Sequence, residues 1–333
     1  VANTFLPVDC LLAKLAVVLS SSMPTDVVVD RPKMERLSEK LPTKLDSYLI
    51  PTKSLRRVNQ TSKINRTSNL HVLSNFALTC LLHMIKKNRL VNDGTEHREL
   101  LEPIVLQLNS FLQSNDTKVV TSTIHCIHTL LLKFPDLTAF QHTTQQMISQ
   151  IFVLLNKYSG LTNDNSQLIT LCFKTIAHFI HSRSECKLNS EQIVVLLSYA
   201  ERDIENNSQN STIYFLLKSI ITRRFISKEL HQLMEKILTL AITTDIDHVR
   251  THAVDLSIKY LTDYPIDSNR FKGKLTKLVR QLEYETIAGR VASISILKSV
   301  LDHLTYEQLK PLRENLFVPI ASCIVNEEST ECK

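Results

Sequence analysis

The sequence predicts an all-α protein built as an α-solenoid, a stack of helical hairpins, and three observations carry that prediction. Apolar residues recur at three- and four-residue steps, which bring side chains round to one stripe of a helix, and do not alternate as in strands. Only 4 of the 333 residues are glycine, and neither G-x-G-x-x-G nor G-x-x-x-x-G-K-S/T occurs, so the loops that let a backbone approach a pyrophosphate are not there. Polar turns return at a period of roughly forty residues, the signature of a stacked repeat.

The clearest hairpin is Lys228 to Pro265. Leu230, Leu233, Met234, Ile237, Leu238 and Ala241 fall on one face of a first helix. After a short turn, Val249, Ala253, Leu256 and Tyr260 repeat the spacing, with Asp247 placed to cap the second helix and Pro265 to stop it. One hairpin cannot bury both stripes, so neighbours of the same kind must stack on it.

Taken in order, the chain opens with an amphipathic helix over Val8 to Ser21, whose apolar side is Leu11, Leu12, Leu15, Val18 and Leu19. Pro24, Pro32, Pro42 and Pro51 follow at a density that excludes a long helix. Residues 51 to 66 carry Lys53, Arg56, Arg57, Lys63 and Arg66 with no acidic residue. The organisation expected is an N-terminal helix of a preceding repeat over 1–22, a basic, flexible linker over 23–68 and repeats over 69–333.

Helices resume near Asn69 with the stripe Leu70, Leu73, Ala77, Leu78, Leu81, Leu82 and Ile85. Hairpins then follow: Leu100 to Ser114 with Val119 to Phe134, Phe140 to Tyr158 with Leu168 to Ser182, and Gln192 to Glu205 with Thr212 to Arg224. After the Lys228 hairpin come Phe271 to Tyr284 with Ile287 to Leu304, and then Leu309 to Val325, interrupted by Pro311 and Pro319. The last repeat breaks off after Asn326 and the chain starts at Val1 without an initiator Met, so an internal fragment is expected.

Overlaid, the turns at Asp116, Asp164, Asn207, Asp247, Glu285 and Glu328 give the period expected of HEAT or armadillo units. Asp247, Val249 and Arg250 form the best single unit, since HEAT repeats put Asp at this turn and Val-Arg just after it. In that pattern the Asp caps the second helix and the Arg reaches along the stack to a neighbouring turn.

Composition narrows the class further. With 39 Lys and Arg against 33 Asp and Glu, the net charge of +6 is only mildly basic, which fits an ordinary solvated surface as well as a nucleic-acid footprint. Seven scattered cysteines, an odd number without close pairs, argue against a disulfide framework and for a reducing compartment. The apolar run Leu11 to Leu19 is broken by Lys14 and is too short to span a bilayer.

Several segments resemble a known family. They include LLEPIVLQLNSFLQSNDTKVVTSTIHCIHTLLLKFP, FLLKSIITRRFISKELHQLMEKILTLA, DHVRTHAVDLSIKYLTDYP, QLEYETIAGRVASISILKSV and the terminal FVPIASCIVNEESTECK. In consistent order over residues 70 to 333, they look like the repeat region of the down-regulated in metastasis family, the large HEAT-repeat, small nucleolar RNA-associated subunit of the small-subunit processome. The resemblance implies a non-enzymatic scaffold of the nucleolus that supports precursor ribosomal RNA processing and small-subunit RNA maturation. Its implied partners are processome proteins, precursor ribosomal RNA and small nucleolar RNA, with no membrane, cofactor or small-molecule substrate. Periodicity alone suits a transport or signalling adaptor equally.

No catalytic or metal site is expected. H-E-x-x-H, G-x-S-x-G and calcium-loop patterns do not occur, and Glu201, Asp203 and Glu205 read as a solvated helix end beside Arg202. His and Cys gather as Cys80 with His83, His125 with Cys126 and His128, and Cys172 with His178, His181 and Cys186. None of these supplies the four convergent ligands of a zinc site. The basic residues are the stronger candidates: Lys53, Arg56, Arg57, Lys63 and Arg66 for RNA or an acidic partner, gaining affinity by counterion release. Two helical clusters, Arg223 with Arg224 and Lys272 with Lys274, Lys277 and Arg280, would extend that surface, although basic residues near a helix C-terminus also offset its dipole.

Overall fold

A computed structural model describes residues 63–87, 95–158, 165–205 and 211–332. The expected Val8–Ser21 helix and Lys53, Arg56 and Arg57 lie outside the described residues. The chain divides into two compact units, 1–187 and 188–333.

In the first unit the described helices are α1 (Lys63–Lys86), α2 (Thr95–Phe111), α3 (Thr117–Lys133), α4 (Thr138–Tyr158) and α5 (Ser166–Ser182). They form two layers: α1, α3 and α5 stack in one, α2 and α4 in the other, and α2–α3 and α4–α5 pair as hairpins. Helix α1 corrects the expected linker boundary, because it begins at Lys63 and takes in Arg66 on its first turn. Asn69, near which helices were expected to resume, lies within it. No proline or glycine stands between Lys63 and Lys86, and cap-type residues are tolerated in a helix interior when packing supplies the stability.

Each repeat closes the ends of its neighbour. The Asp116 carboxylate caps α3, accepting from Lys118 N (2.8 Å) and Val119 N (3.2 Å). Lys133, at the end of α3, donates to the carbonyls of Ile85 (2.7 Å) and Lys86 (3.0 Å) and so satisfies the C-terminus of α1. Glu102 of α2 accepts from the N–H groups of Thr138 and Ala139 at the start of α4. Between the layers, Phe140 of α4 meets Phe179 of α5 edge-to-face at 6.3 Å, and both rings are fully buried.

The second unit contains α6 (Ser190–Glu205), α7 (Ser211–Thr222), α8 (Lys228–Thr243), α9 (Asp247–Asp263), α10 (Ser268–Arg280), α11 (Ile287–His303), the single turn α12 (Tyr306–Leu309) and α13 (Arg313–Asn326). Helices α7, α9 and α11 stack in one layer; α6 packs on α8 and α10 on α13 in the other. The stripes read from sequence are the core: Leu230, Leu233, Met234, Ile237, Leu238 and Ala241 of α8 and Val249, Ala253, Leu256 and Tyr260 of α9 are all buried. Each fully buried aliphatic side chain contributes about 1.5–3 kcal/mol relative to exposure. The chain is therefore an all-α helical-repeat protein of the HEAT/armadillo kind, each unit an α-solenoid segment of stacked hairpins.

Two ends differ from the sequence reading. Pro319 stands inside α13 instead of interrupting it, whereas Pro311 sits in the 3-10 turn Lys310–Leu312 that separates α12 from α13. Helix α10 stops at Arg280 and continues only as a 3-10 turn to Glu283.

Two backbone positions are tightly constrained. Gly289, in the first turn of α11, lies so close to α8 that a Cβ there would stand 2.7 Å from the Ile242 carbonyl oxygen and 2.5 Å from Tyr284 Cδ1. Arg224 has φ of 54°, the left-handed region that favours glycine. It closes α7 with Arg224 N donating to Ile221 O (2.9 Å) and Phe225 N to Ile220 O (3.3 Å), a Schellman ending with arginine where glycine is usual. Arg224→Gly is accordingly expected to raise stability by roughly 0.5–1 kcal/mol, the relief of Cβ strain less the glycine entropy cost. Urea unfolding measures this, and an unchanged or lower midpoint would contradict it.

Candidate interaction surfaces

The residues read as a HEAT turn fall together, but two act differently from expectation. Val249 is buried as the first core residue of α9. Asp247 does not cap the helix: the cap position is Ile246, in extended backbone, and Asp247 is the first helical residue. From there its carboxylate is held by Arg250 Nη1 at 2.7 Å. Arg250 also donates to the Thr244 carbonyl, so it closes its own turn, and among the described residues it makes no hydrogen bond or ion pair to a neighbouring repeat.

A residue at the equivalent position of the next repeat, Arg290, does reach along the stack. Like Arg250, it donates to a carbonyl six residues upstream, that of Tyr284 (2.9 Å), and also to Glu285 O (3.1 Å). Its Nε and Nη2 then grip Glu327 in a bidentate pair at 2.8 and 3.0 Å. Such planar fork pairing is strong and directional, and it holds Arg290 above and Glu327 below their ordinary ranges, the hydrogen bond between them being the main cause. Arg290 was overlooked in the sequence because its turn carries Thr286-Ile287 where Asp247 had drawn attention. The signal was a Gly-Arg at the same phase of the repeat as Val249-Arg250.

The predicted basic patches do not behave alike. Lys63 and Arg66 are on α1, and Lys53, Arg56 and Arg57 lie outside the described residues, so the five are not brought together as one described site. Arg224 is exposed and Arg223 half-buried at the end of α7. In the α10 cluster, Lys272, Lys277 and Arg280 are exposed but Lys274 is buried. Its Nζ donates to Glu235 Oε1 at 3.2 Å and lies 5.5 Å above the Tyr260 ring. Burial pushes the Lys274 ammonium below its usual value, an effect Glu235 partly offsets. Lys274 is therefore a structural tie between α8 and α10.

Of the histidines and cysteines grouped in the sequence, Cys126, Cys172 and Cys186 are buried, Cys80, His125, His128 and His178 are half-buried, and His83 and His181 are exposed. Cys126 donates to the Leu78 carbonyl (3.3 Å), and burial pushes the thiols of Cys126 and Cys172 up to about 12, which leaves them protonated and unreactive. His128 and His178 meet edge-to-face at 4.8 Å across α3 and α5. Among the described residues no three His, Cys, Asp or Glu side chains converge as a metal site requires, and no helix is long and apolar enough to cross a membrane. Glu201 pairs with Lys236 at 2.7 Å, both half-exposed.

Fold and surfaces together define a helical-repeat protein in which several described polar side chains tie one repeat to the next. The comparisons with known proteins extend this. The chain is similar to U3 small nucleolar RNA-associated protein 20 of Schizosaccharomyces pombe, 22% identical over 169 residues, which is 51% of this chain and 7% of that protein. It is also similar to U3 small nucleolar RNA-associated protein 20 of Saccharomyces cerevisiae, 21% identical over 304 residues, 90% of this chain and 12% of that protein. The chain thus spans about a tenth of the length of the curated relatives it matches, and they carry the association with small nucleolar RNA that the sequence segments pointed to. No family model matches. Among solved structures, it is similar to a designed armadillo repeat protein (TM-score 0.44, 14% identity, 74% of this chain and 98% of that one) and to importin beta (TM-score 0.45, 12% identity, 98% and 41%). The fold assignment rests on the stacking described above.

Proposed function

We propose that this chain is a scaffold segment in small ribosomal subunit biogenesis, acting without catalysis inside the small-subunit processome of the nucleolus. In this reading it supports precursor ribosomal RNA processing and 18S rRNA maturation by holding processome proteins, and through them or directly precursor and small nucleolar RNA. The carrying observation is the similarity over 90% of the chain to a protein named for association with U3 small nucleolar RNA. The repeat architecture supports it physically, since stacked hairpins present long surfaces and each repeat contacts only its neighbours. The basic stretch Lys53, Arg56, Arg57, Lys63 and Arg66 is the proposed contact with phosphate or acidic groups, by counterion release.

Depletion of the protein carrying this sequence is expected to accumulate uncleaved precursor RNA and reduce mature 18S rRNA. Normal 18S maturation, with partners drawn from transport cargo, would replace this reading with that of an adaptor. Changing the five basic residues to alanine should reduce crosslinks to precursor or small nucleolar RNA. Unchanged crosslinks would remove these residues from the RNA contact while leaving the scaffold role to the depletion result.

A further inference from the structure

A groove of about 880 Å³ lies along α8 and α10 in the second unit, within the roughly 300–1,000 Å³ range of binding clefts. The Lys274–Glu235 bond ties the two helices, and alongside it the groove shows an aliphatic floor and a cationic rim. Half-buried Leu240 of α8, Ile204 of α6 and Tyr284 line the floor, backed by the buried Leu238 and Ile242 of α8 and Leu278 of α10. Lys277 and Arg280, three residues apart on one face of α10, stand exposed on the rim, with Lys236, engaged by Glu201, opposite on α8. Glu235 is the one carboxylate in the lining; it is already engaged by Lys274 and lies 4.0 Å from Lys277. Arg280 makes no ion pair with a described residue.

We propose that this groove docks an acidic amphipathic helix of a partner protein, with aliphatic side chains on the floor and carboxylates against Lys277 and Arg280. Charge complementarity selects the sign of the partner, and the floor selects its class. Single-stranded RNA is held by aromatic or guanidinium faces on which bases stack, whereas this floor is built of leucine and isoleucine with Tyr284 as the single aromatic in the lining. An aliphatic trough flanked by cations matches the i, i+3, i+4, i+7 anchors of a helix laid in a groove. The proposal does not depend on the ribosomal role.

The test measures fluorescence anisotropy of the full 333-residue chain with three labelled probes. One is a peptide of about fourteen residues, four helical turns, with Leu at the anchor positions and Glu elsewhere; the second replaces Glu with Lys; the third is oligouridylate. The acidic peptide is expected to bind and the lysine peptide not to. The double variant Lys277→Glu/Arg280→Glu should weaken binding by about tenfold or more. Thr239→Arg, at an exposed position in the lining, adds a cation but fills the groove, and it should also weaken binding. Tighter binding by Thr239→Arg would show attraction to surface charge alone and overturn the docking site. No binding of the acidic peptide, or equal binding by wild type and both variants, would overturn it as well. Oligouridylate binding lost in the charge-reversed variant, with the acidic peptide inert, would assign the surface to RNA instead. Circular dichroism of both variants confirms that each remains folded.

Discussion

Tyr260→Ala is expected to lower the stability of the 188–333 unit by about 3–5 kcal/mol, the cost of truncating a large buried aromatic. Tyr260 is wholly buried in α9 and joins three elements. Its ring stacks on Tyr264 at 5.3 Å, its hydroxyl meets His231 Nδ1 of α8, and Lys274 Nζ of α10 lies 5.5 Å from its centroid. Removing it opens a cavity and strips the half-buried His231 and the buried Lys274 ammonium of their neighbour. Burial above all, with Tyr264 adding to it, raises the phenol pKa, so the hydroxyl stays neutral at any ordinary pH. Tyr260→Phe keeps the ring and should cost only about 1 kcal/mol, the worth of one hydrogen bond. Urea unfolding of the two variants separates these terms. Equal and small losses would mean that the site collapses around the truncation and that Tyr260 is not a keystone.

Acidification from pH 6.5 towards 4 is expected to destabilise the 1–187 unit by about 2 kcal/mol, through histidines packed between α3 and α5. Burial first, then His178, His125, Lys174 and Lys86, pushes His128 down to about 4. Burial and then His181 lower His178, and burial with Lys86 and Lys174 lowers His125. His128 Nε2 is also buried without a hydrogen-bond partner. The folded state therefore binds protons less readily than the unfolded chain. This contribution to stability is complete above the unfolded value of 6.5 and is lost as pH falls towards the folded one. A full shift to about 4 would correspond to roughly 3 kcal/mol, and partial exposure of the ring reduces it. Hydrogen exchange over 117–182 at pH 7 and pH 4.5 reads the loss locally, and His128→Leu should flatten it. A pH dependence untouched by that substitution would place the acid-sensitive group elsewhere.

The hairpins were legible in the sequence wherever a stripe held its period. In α8 and α9 every residue read as core is buried, because a 3.6-residue repeat fixes which side chains share a face before any neighbour is known. Asp116 was legible as a turn residue, and the structure adds that it caps its helix through the N–H groups two and three residues on. Asp247 shows where such reading ends. The residue type was right for a cap, but whether a carboxylate sits at the cap or one position inside depends on backbone angles that the chain before it sets.

What sequence determined about this protein is therefore local: an all-α repeat of roughly forty residues, the stripes of α8 and α9, the described turns at Asp116, Asp247, Glu285 and Glu328 and a resemblance carried by segments in order. The tertiary structure decided everything that pairs residues one repeat apart. Arg290 finds Glu327 37 positions on, and Lys274 reaches back 39 to Glu235; nothing in either neighbourhood announces the partner. The same stacking turned Lys274 from a surface cation into a buried tie and left Lys277 and Arg280 on a groove rim. The physical reason is that helical periodicity acts through bonds along one chain segment, whereas burial and ion pairing are set by the packing of separate segments.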